Sequence, residues 1–166
     1  TDDLVIEGAE TVTVTLTGAV SGGSELPFAP AGPVTAQLTD NDHTALTNRI
    51  TLTAVSDAAE PATSGRLEVR FPPGVTSSAP TTVTYQAGGS ATAGMDYTSL
   101  PGTVVIPAGS NSGAVTVNVL DDDAFEGDET VQLTLLSASG IADPAVDNQP
   151  ATVSITDNDE DPATSV

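Results

Sequence analysis

Six carboxylates fall within nine residues at Asp121, Asp122, Asp123, Glu126, Asp128 and Glu129. Like charges packed this densely repel one another unless water solvates each of them fully or a cation sits among them. Carboxylates are hard oxygen donors, and calcium takes about six to eight such oxygens in flexible geometry. The chain has no cysteine, which removes zinc–thiolate chemistry and any disulfide framework. The acid spacing is not that of an EF-hand, because no twelve-residue loop with a central glycine is present. The same acidic pattern opens the chain as Asp2-Asp3-Leu4-Val5-Ile6-Glu7-Gly8-Ala9-Glu10. Each copy leads into an alternating strand pattern and is followed downstream by an Asp-Asn-Asp triplet, Asp40-Asn41-Asp42 and then Asp157-Asn158-Asp159.

An acidic run taken alone is also what a solvated turn looks like. The case for a metal therefore rests on distant acids converging, which one loop does not establish. No catalytic constellation accompanies the acids. The single histidine, His43, has no nucleophile or paired carboxylate at a recognisable spacing. The pattern argues against an enzyme. Phe125, between acids, reads as a core plug anchoring its loop. Tyr97, directly after Asp96, reads as a packing aromatic fixing a turn, and Met95 as a partly exposed turn residue.

Charge narrows the partners. The 23 acidic residues face three arginines, Arg49, Arg66 and Arg70, for a formal net charge of −20. Nucleic-acid binding depends on basic side chains that displace phosphate counterions, so it is excluded, and anionic membrane surfaces are equally disfavoured. No apolar run reaches the length needed to insert in a bilayer. Acidic surfaces also aid solubility in salty surroundings, but that role predicts scattered acids, and many of these are clustered.

The acidic copies align with Glu7 on Glu126, Gly8 on Gly127 and Glu10 on Glu129, an offset of 119 positions. The triplets align at an offset of 117, with Asp40 on Asp157. Two nearly equal offsets mark a tandem repeat. Residues 1–44 thus read as the last two strands of a preceding repeat, 45–160 as a complete one, and 161–166 as a linker or the start of the next segment. Period-two alternation predicts seven strands in the complete repeat, at 50–55, 66–71, 82–86, 102–106, 114–120, 130–136 and 151–156. Turn formers such as Pro72-Pro73-Gly74 and Pro107-Ala108-Gly109 separate them. The expected fold class is all-β: a seven-stranded antiparallel β-sandwich of the immunoglobulin-like Greek-key type, with an extra N-terminal β-hairpin from the preceding repeat. Val12, Val14 and Leu16 form one hairpin strand, and Val34, Ala36 and Leu38 the other. Two strands alone bury too little to be stable. The hairpin must pack on the full domain, complete a neighbouring chain, or stay poorly ordered.

These stretches resemble the Calx-beta domain family. The matching motifs are Ala59-Glu60-Pro61 before Gly65-Arg66-Leu67-Glu68-Val69, Thr84-Tyr85 leading to Gly94-Met95-Asp96-Tyr97, and Gly102-Thr103-Val104-Val105-Ile106-Pro107-Ala108-Gly109. The acidic segment and the Ala151–Thr156 strand running into Asp157 complete the set. The resemblance implies a calcium site at one end of the sandwich. Its ligands would be Glu60, Asp96, Asp121, Asp122, Asp123, Glu126, Asp157 and Asp159, with Glu129 beside them. Asn158 stands where the most heavily metallated members carry a third aspartate, which implies one or two calcium ions per complete repeat.

The functional expectation is a calcium-binding structural or adhesive repeat of an extracellular, cell-surface protein, partnered by neighbouring repeats of the same protein. Two alternatives stay open. One is a strand-exchanging filament subunit, a homo-oligomer built by strand addition, and the other is a calcium-sensing regulatory domain of a membrane protein.

Overall fold

The structure is a computed structural model that describes residues 3–25, 27, 29, 32–40, 49–141 and 144–159. In chain order its strands are β1 (Val5–Ile6), β2 (Glu10–Val14), β3 (Val20–Ser21), β4 (Ser24–Glu25), β5 (Val34–Leu38), β6 (Thr51–Ser56) and β7 (Ala58–Ala59). There follow β8 (Gly65–Arg70), β9 (Thr76–Ser77), β10 (Thr81–Gly89), β11 (Thr103–Ile106), β12 (Ser112–Val117), β13 (Glu129–Ser139) and β14 (Ala151–Thr156). Among the described residues there is no helix, and hence none long and apolar enough to cross a membrane.

The chain divides into two compact units, residues 1–7 with 42–166, and Gly8–Asn41. The larger unit is a two-layer sandwich. One layer has strand order β11-β10-β13-β14-β7, and the other β12-β8-β6. Every expected strand has an observed counterpart, with ends shifted by a few residues. Alternation of side chains between the two faces of each strand builds the core. Leu67 and Val69 of β8, Val115 and Val117 of β12, Val131, Leu133 and Leu135 of β13, and Val153 and Ile155 of β14 are all buried. The intervening residues face outward, and full burial of each such aliphatic side chain contributes about 1.5–3 kcal/mol. Gly65 is one place where the layers approach closely, since a Cβ there would overlap Val153 and press on Ala58. Arg66 and Arg70 lie on one face of β8, and Arg70 pairs with Glu68 of the same strand at 2.8 Å.

Two short parallel pairings depart from a purely antiparallel sandwich. In the first, β7 runs alongside β14, with Ala58 opposite Ile155 and Ala59 opposite Thr156. The second joins β1 to β9, with Val5 opposite Thr76 and Ile6 opposite Ser77. The carbonyls of Leu4 and Ile6 accept hydrogen bonds from Thr76 N–H (3.1 Å) and Ser78 N–H (3.0 Å). Ile6 is 1% exposed and belongs to the core cluster. The turn that leads into β9 is held by Asn111, whose Nδ2 donates to the carbonyls of Pro72 (2.9 Å) and Val75 (2.7 Å). The extreme N-terminal segment therefore straps onto the larger unit.

The smaller unit is a hairpin of β2 and β5, with Glu10 opposite Leu38, Val12 opposite Ala36 and Val14 opposite Val34. Its distal end carries the short pair β3 and β4.

Truncating the strap should be costly if Ile6 is a true core residue. The substitution Ile6→Ala is expected to lower the stability of the larger unit by about 2–4 kcal/mol, as deletions of buried aliphatic side chains do. Urea unfolding measures it, and a midpoint equal to that of the parent would contradict the strap.

Candidate metal centre

Parallel pairing of β7 with β14 makes both strands end at the same pole of the sandwich. Glu60 follows β7 and Asp157 follows β14, and Glu60 N–H donates to the Thr156 carbonyl at 3.0 Å. The Asp-Asn-Asp triplet is thereby laid beside Glu60. The Glu60–Pro61 peptide is cis.

Asp96 reaches this pole from a tight turn. Its Oδ2 accepts from Thr92 N–H at 2.5 Å, and its own N–H donates to the Thr92 carbonyl at 3.0 Å. Tyr97 is buried and bridges to Val119, while Leu120 N–H donates to the Asp96 carbonyl at 2.9 Å. The turn and the start of the acidic loop are thus tied together by backbone, so Asp96 is both buried and fixed in direction.

The acidic loop closes over Asp157. Its Oδ2 accepts from Glu126 N–H (2.8 Å) and Gly127 N–H (2.7 Å), and its Oδ1 accepts from Asp159 N–H (2.8 Å). Gly127 has φ +76, in the left-handed region that glycine enters without steric cost, and this bend is what presents both N–H groups to one oxygen. Glu129 is the first residue of β13, opposite Ile155.

Two carboxylate groups result. Glu60, Asp157 and Asp159 offer oxygens within 4.8 Å of one another, and so do Asp96, Glu126 and Glu129. Glu60, Asp96, Glu126, Glu129 and Asp157 line one shared depression, floored by Ile155 and Gly127. Asp121, Asp122 and Asp123 stand outside both groups. Asp121 accepts from the Asn158 side-chain amide at 3.2 Å, Asp122 caps its own turn through Ala124 N–H at 2.7 Å, and Asp123 is exposed. They surround the pole and repel it: burial and then Asp157 raise the Asp159 carboxyl, all three add to that rise, and Asp121 and Asp122 act likewise on Glu60 and Glu126 respectively.

The titration pattern records this crowding. Desolvation raises Glu60, a bond from the Asn158 backbone opposes the rise, and Asp157, Asp121 and Asp159 add to it. Repulsion from Asp96 is the main cause of the rise at Glu126. Burial, with Asp96 and then Glu126 and Glu60 behind it, pushes Glu129 up to about 7. Asp157 is instead lowered, because three backbone N–H groups stabilise its charge. One oxygen of Asp159, Oδ2, is buried with no hydrogen-bond partner among the described residues. An orphaned carboxylate oxygen beside two others is a fit for a hard cation and has no other evident use.

Two roles differ from the sequence reading. Phe125 is no core plug: it is 48% exposed, and the loop is anchored by Gly127 and Asp157 instead. Glu129, expected only beside the ligand set, is a full member of the second group. Its position four residues before the buried Leu133, on the same face of β13, is the signal that places it at the inward edge. In the first copy, Asp3 repeats the turn of Asp122, since Val5 N–H donates to Asp3 Oδ1 at 2.9 Å where Ala124 N–H donates to Asp122. Asp2, Asp42 and His43 lie outside the described residues.

The profile of the Calx-beta domain matches residues 53–159. Among solved structures, the calcium binding domain CBD12 of CALX1.1 is 26% identical, with a TM-score of 0.52 over 66% of this chain and 44% of that one. CBD12 from CALX1.2 is also 26% identical, with a TM-score of 0.51 over 66% of this chain and 46% of that one. The chain thus spans less than half the length of either. No curated protein matches it.

The sign of the pH dependence follows from Glu129. Its folded-state pKa, about 7, lies above the 4.5 of an unperturbed glutamate, so the folded protein holds the proton more tightly than the unfolded chain. In the absence of divalent ions, stability should fall as pH rises from about 4.5 to about 7 and level off above it. Glu129→Gln should flatten that slope. Thermal unfolding across this range in chelator checks both expectations.

Proposed function

The chain belongs to the Calx-beta domain family, and on that premise we propose that the complete repeat holds calcium at the pole where Glu60, Asp157 and Asp159 meet Asp96, Glu126 and Glu129. The observation that carries this reading is the pair of carboxylate groups sharing one depression, with the buried Asp159 Oδ2 unpartnered. Six side chains in two adjacent groups supply enough oxygens for one or two ions, since carboxylates bind calcium in monodentate or bidentate fashion and waters complete the shell. The similar CBD12 of CALX1.1 is a calcium binding domain, in line with this reading. Asp121, Asp122 and Asp123 would add a field of negative charge that draws the cation in and lowers its free energy at the site.

An ion there would join four separate pieces of chain: the end of β7, the Asp96 turn, the acidic loop and the end of β14. We take the role to be structural, in a repeat of an extracellular or cell-surface protein that serves adhesion, with calcium stiffening the end from which the chain continues past Asp159. The acidic surface, the absence of lysine and the absence of cysteine support that setting. A calcium-sensing regulatory domain of a membrane protein is the second reading, supported by a cluster that draws on four separate segments whose mutual repulsion an ion would relieve. The two differ in what calcium does: a structural ion raises stability and leaves the shape alone, whereas a sensor changes shape.

Calorimetric titration of the full chain with calcium should show saturable binding of one or two ions. Binding to the folded state alone should add about 2.7 kcal/mol at a hundredfold excess over the dissociation constant. Glu60→Ala and Asp159→Ala should each weaken binding, and affinity should decline as pH drops below about 7, where Glu129 takes up its proton. An unfolding midpoint unmoved by calcium or chelator would refute the proposal. Small-angle scattering with and without calcium separates the structural reading from the sensing one.

A further inference from the structure

The three arginines of this acidic chain gather on one side of the larger unit. Arg66 and Arg70 point outward from β8, opposite Ser56 and Thr51 of β6. Arg49, one residue before the buried Ile50, shares the parity of the outward-facing Thr51 and Thr53. Glu68 is the one acid among the outward residues of the sheet of β12, β8 and β6, and it is already paired with Arg70. Among the described residues Arg66 makes no ion pair. In a chain of net charge −20, this is a face where cations outnumber acids. The same face is hollow beside Arg70. Thr53, Val55, Glu68 and Arg70 line an open groove of about 230 Å³. Val55 is 51% exposed and is the extra residue of a bulge, between Ala54 opposite Leu67 and Ser56 opposite Arg66. A cavity of about 150 Å³ holds a benzene ring, so the groove has room for one aromatic side chain. Its lining suits one: a valine, a threonine methyl and a guanidinium, which stacks on aromatic faces.

We infer that this groove is an interaction surface for the acidic loop of a second copy of the chain, with Phe125 as the inserted side chain and Asp123 and Asp128 facing the arginines. Phe125 is 48% exposed, and exposed acids flank it on both sides. Three observations favour a second copy as the occupant. The densest acids of the chain and an exposed aromatic complement its only cations and an exposed valine. Contacts between copies through their acidic surfaces would set like charges together, which this pairing avoids. The loop also has a precedent for docking within this structure, since its counterpart at 3–7 lies along β9 and buries Ile6, the residue equivalent to Phe125. Exposed ion pairs hold little by themselves, so Phe125 and Val55 are the anchors and the arginines set the orientation. Asp123 and Asp128 lie outside the two carboxylate groups, so the contact does not require calcium. The pole of one copy meets the side of the next, and this heterologous contact leaves a free loop and a free groove to add further copies. It differs from strand addition in sharing no backbone edge.

Sedimentation of the full chain in chelator at physiological salt tests this. The expected result is concentration-dependent association that Phe125→Ala and Arg70→Glu each weaken at least about tenfold, as loss of an anchor does. Both substitutions are on the surface, and unfolding midpoints close to that of the parent would show that the fold is intact. Val55→Asp should weaken association equally while leaving the Arg70–Glu68 pair in place. Arg70→Glu keeps its loop and Phe125→Ala keeps its groove, so an equimolar mixture of the two should form a dimer that does not extend. A parent chain still monomeric at about 1 mM would overturn the inference. So would a mixture no more associated than its components. Association that Val12→Asp disperses and Arg70→Glu leaves intact would move the contact to the hairpin, where Val12 is 47% exposed, and overturn it as well. A monomer that binds polyglutamate through Arg70 would replace the second copy by an acidic partner of another kind.

Discussion

Repulsion among carboxylates held at one pole is the constraint around which the rest of the structure is arranged. Side chains from four separate segments meet there, and each additional negative charge raises the free energy of those already present. Two unit charges about 4 Å apart cost about 1 kcal/mol in water and about 4 kcal/mol near a protein surface. A folded domain is stable by only about 5–15 kcal/mol in all. Repulsion at the pole is therefore a destabilising contribution that a bound cation would offset.

The fold tolerates the cluster because it separates the two demands. Apolar side chains from both layers interlock along the length of the sandwich, and none of that packing depends on the acids. The pole is built from strand ends and turns, with backbone hydrogen bonds doing the positioning. Thr92 and Leu120 fix Asp96, and Asp157 gathers the N–H groups of Glu126, Gly127 and Asp159. Asp157 consequently differs from its neighbours: its charge is stabilised by the protein itself, while Glu60, Glu126, Glu129 and Asp159 are pushed toward the neutral form. One satisfied anion at the centre of several frustrated ones is an arrangement that waits for a counter-charge.

The same loop has two fates in one chain. At 121–129 it closes the pole of its own sandwich and leaves Phe125 outside. At 3–7 it lies along β9 of the larger unit and buries Ile6. The difference is one of burial, as the β-branched Ile6 joins the core cluster while Phe125 stays outside it. Loop and strap are the same local structure, down to the aspartate turn, put to different use by what lies next to them.

Much of this was legible in the linear chain. Period-two alternation located every main strand because a side chain's face depends only on its neighbours two positions away. The two offsets exposed the repeat, and the density of acids pointed to oxygen chemistry. Only the three-dimensional pairing order decided which acids meet. The short parallel contact of β7 with β14 sets Glu60 against Asp157, and Glu129 enters through its place at the inward edge of β13. The exposure of Phe125, the burial of Ile6 and the bare face of the hairpin were likewise tertiary outcomes. Local pattern reports which side of a strand is apolar, whereas what covers that side is settled by segments far away in the chain.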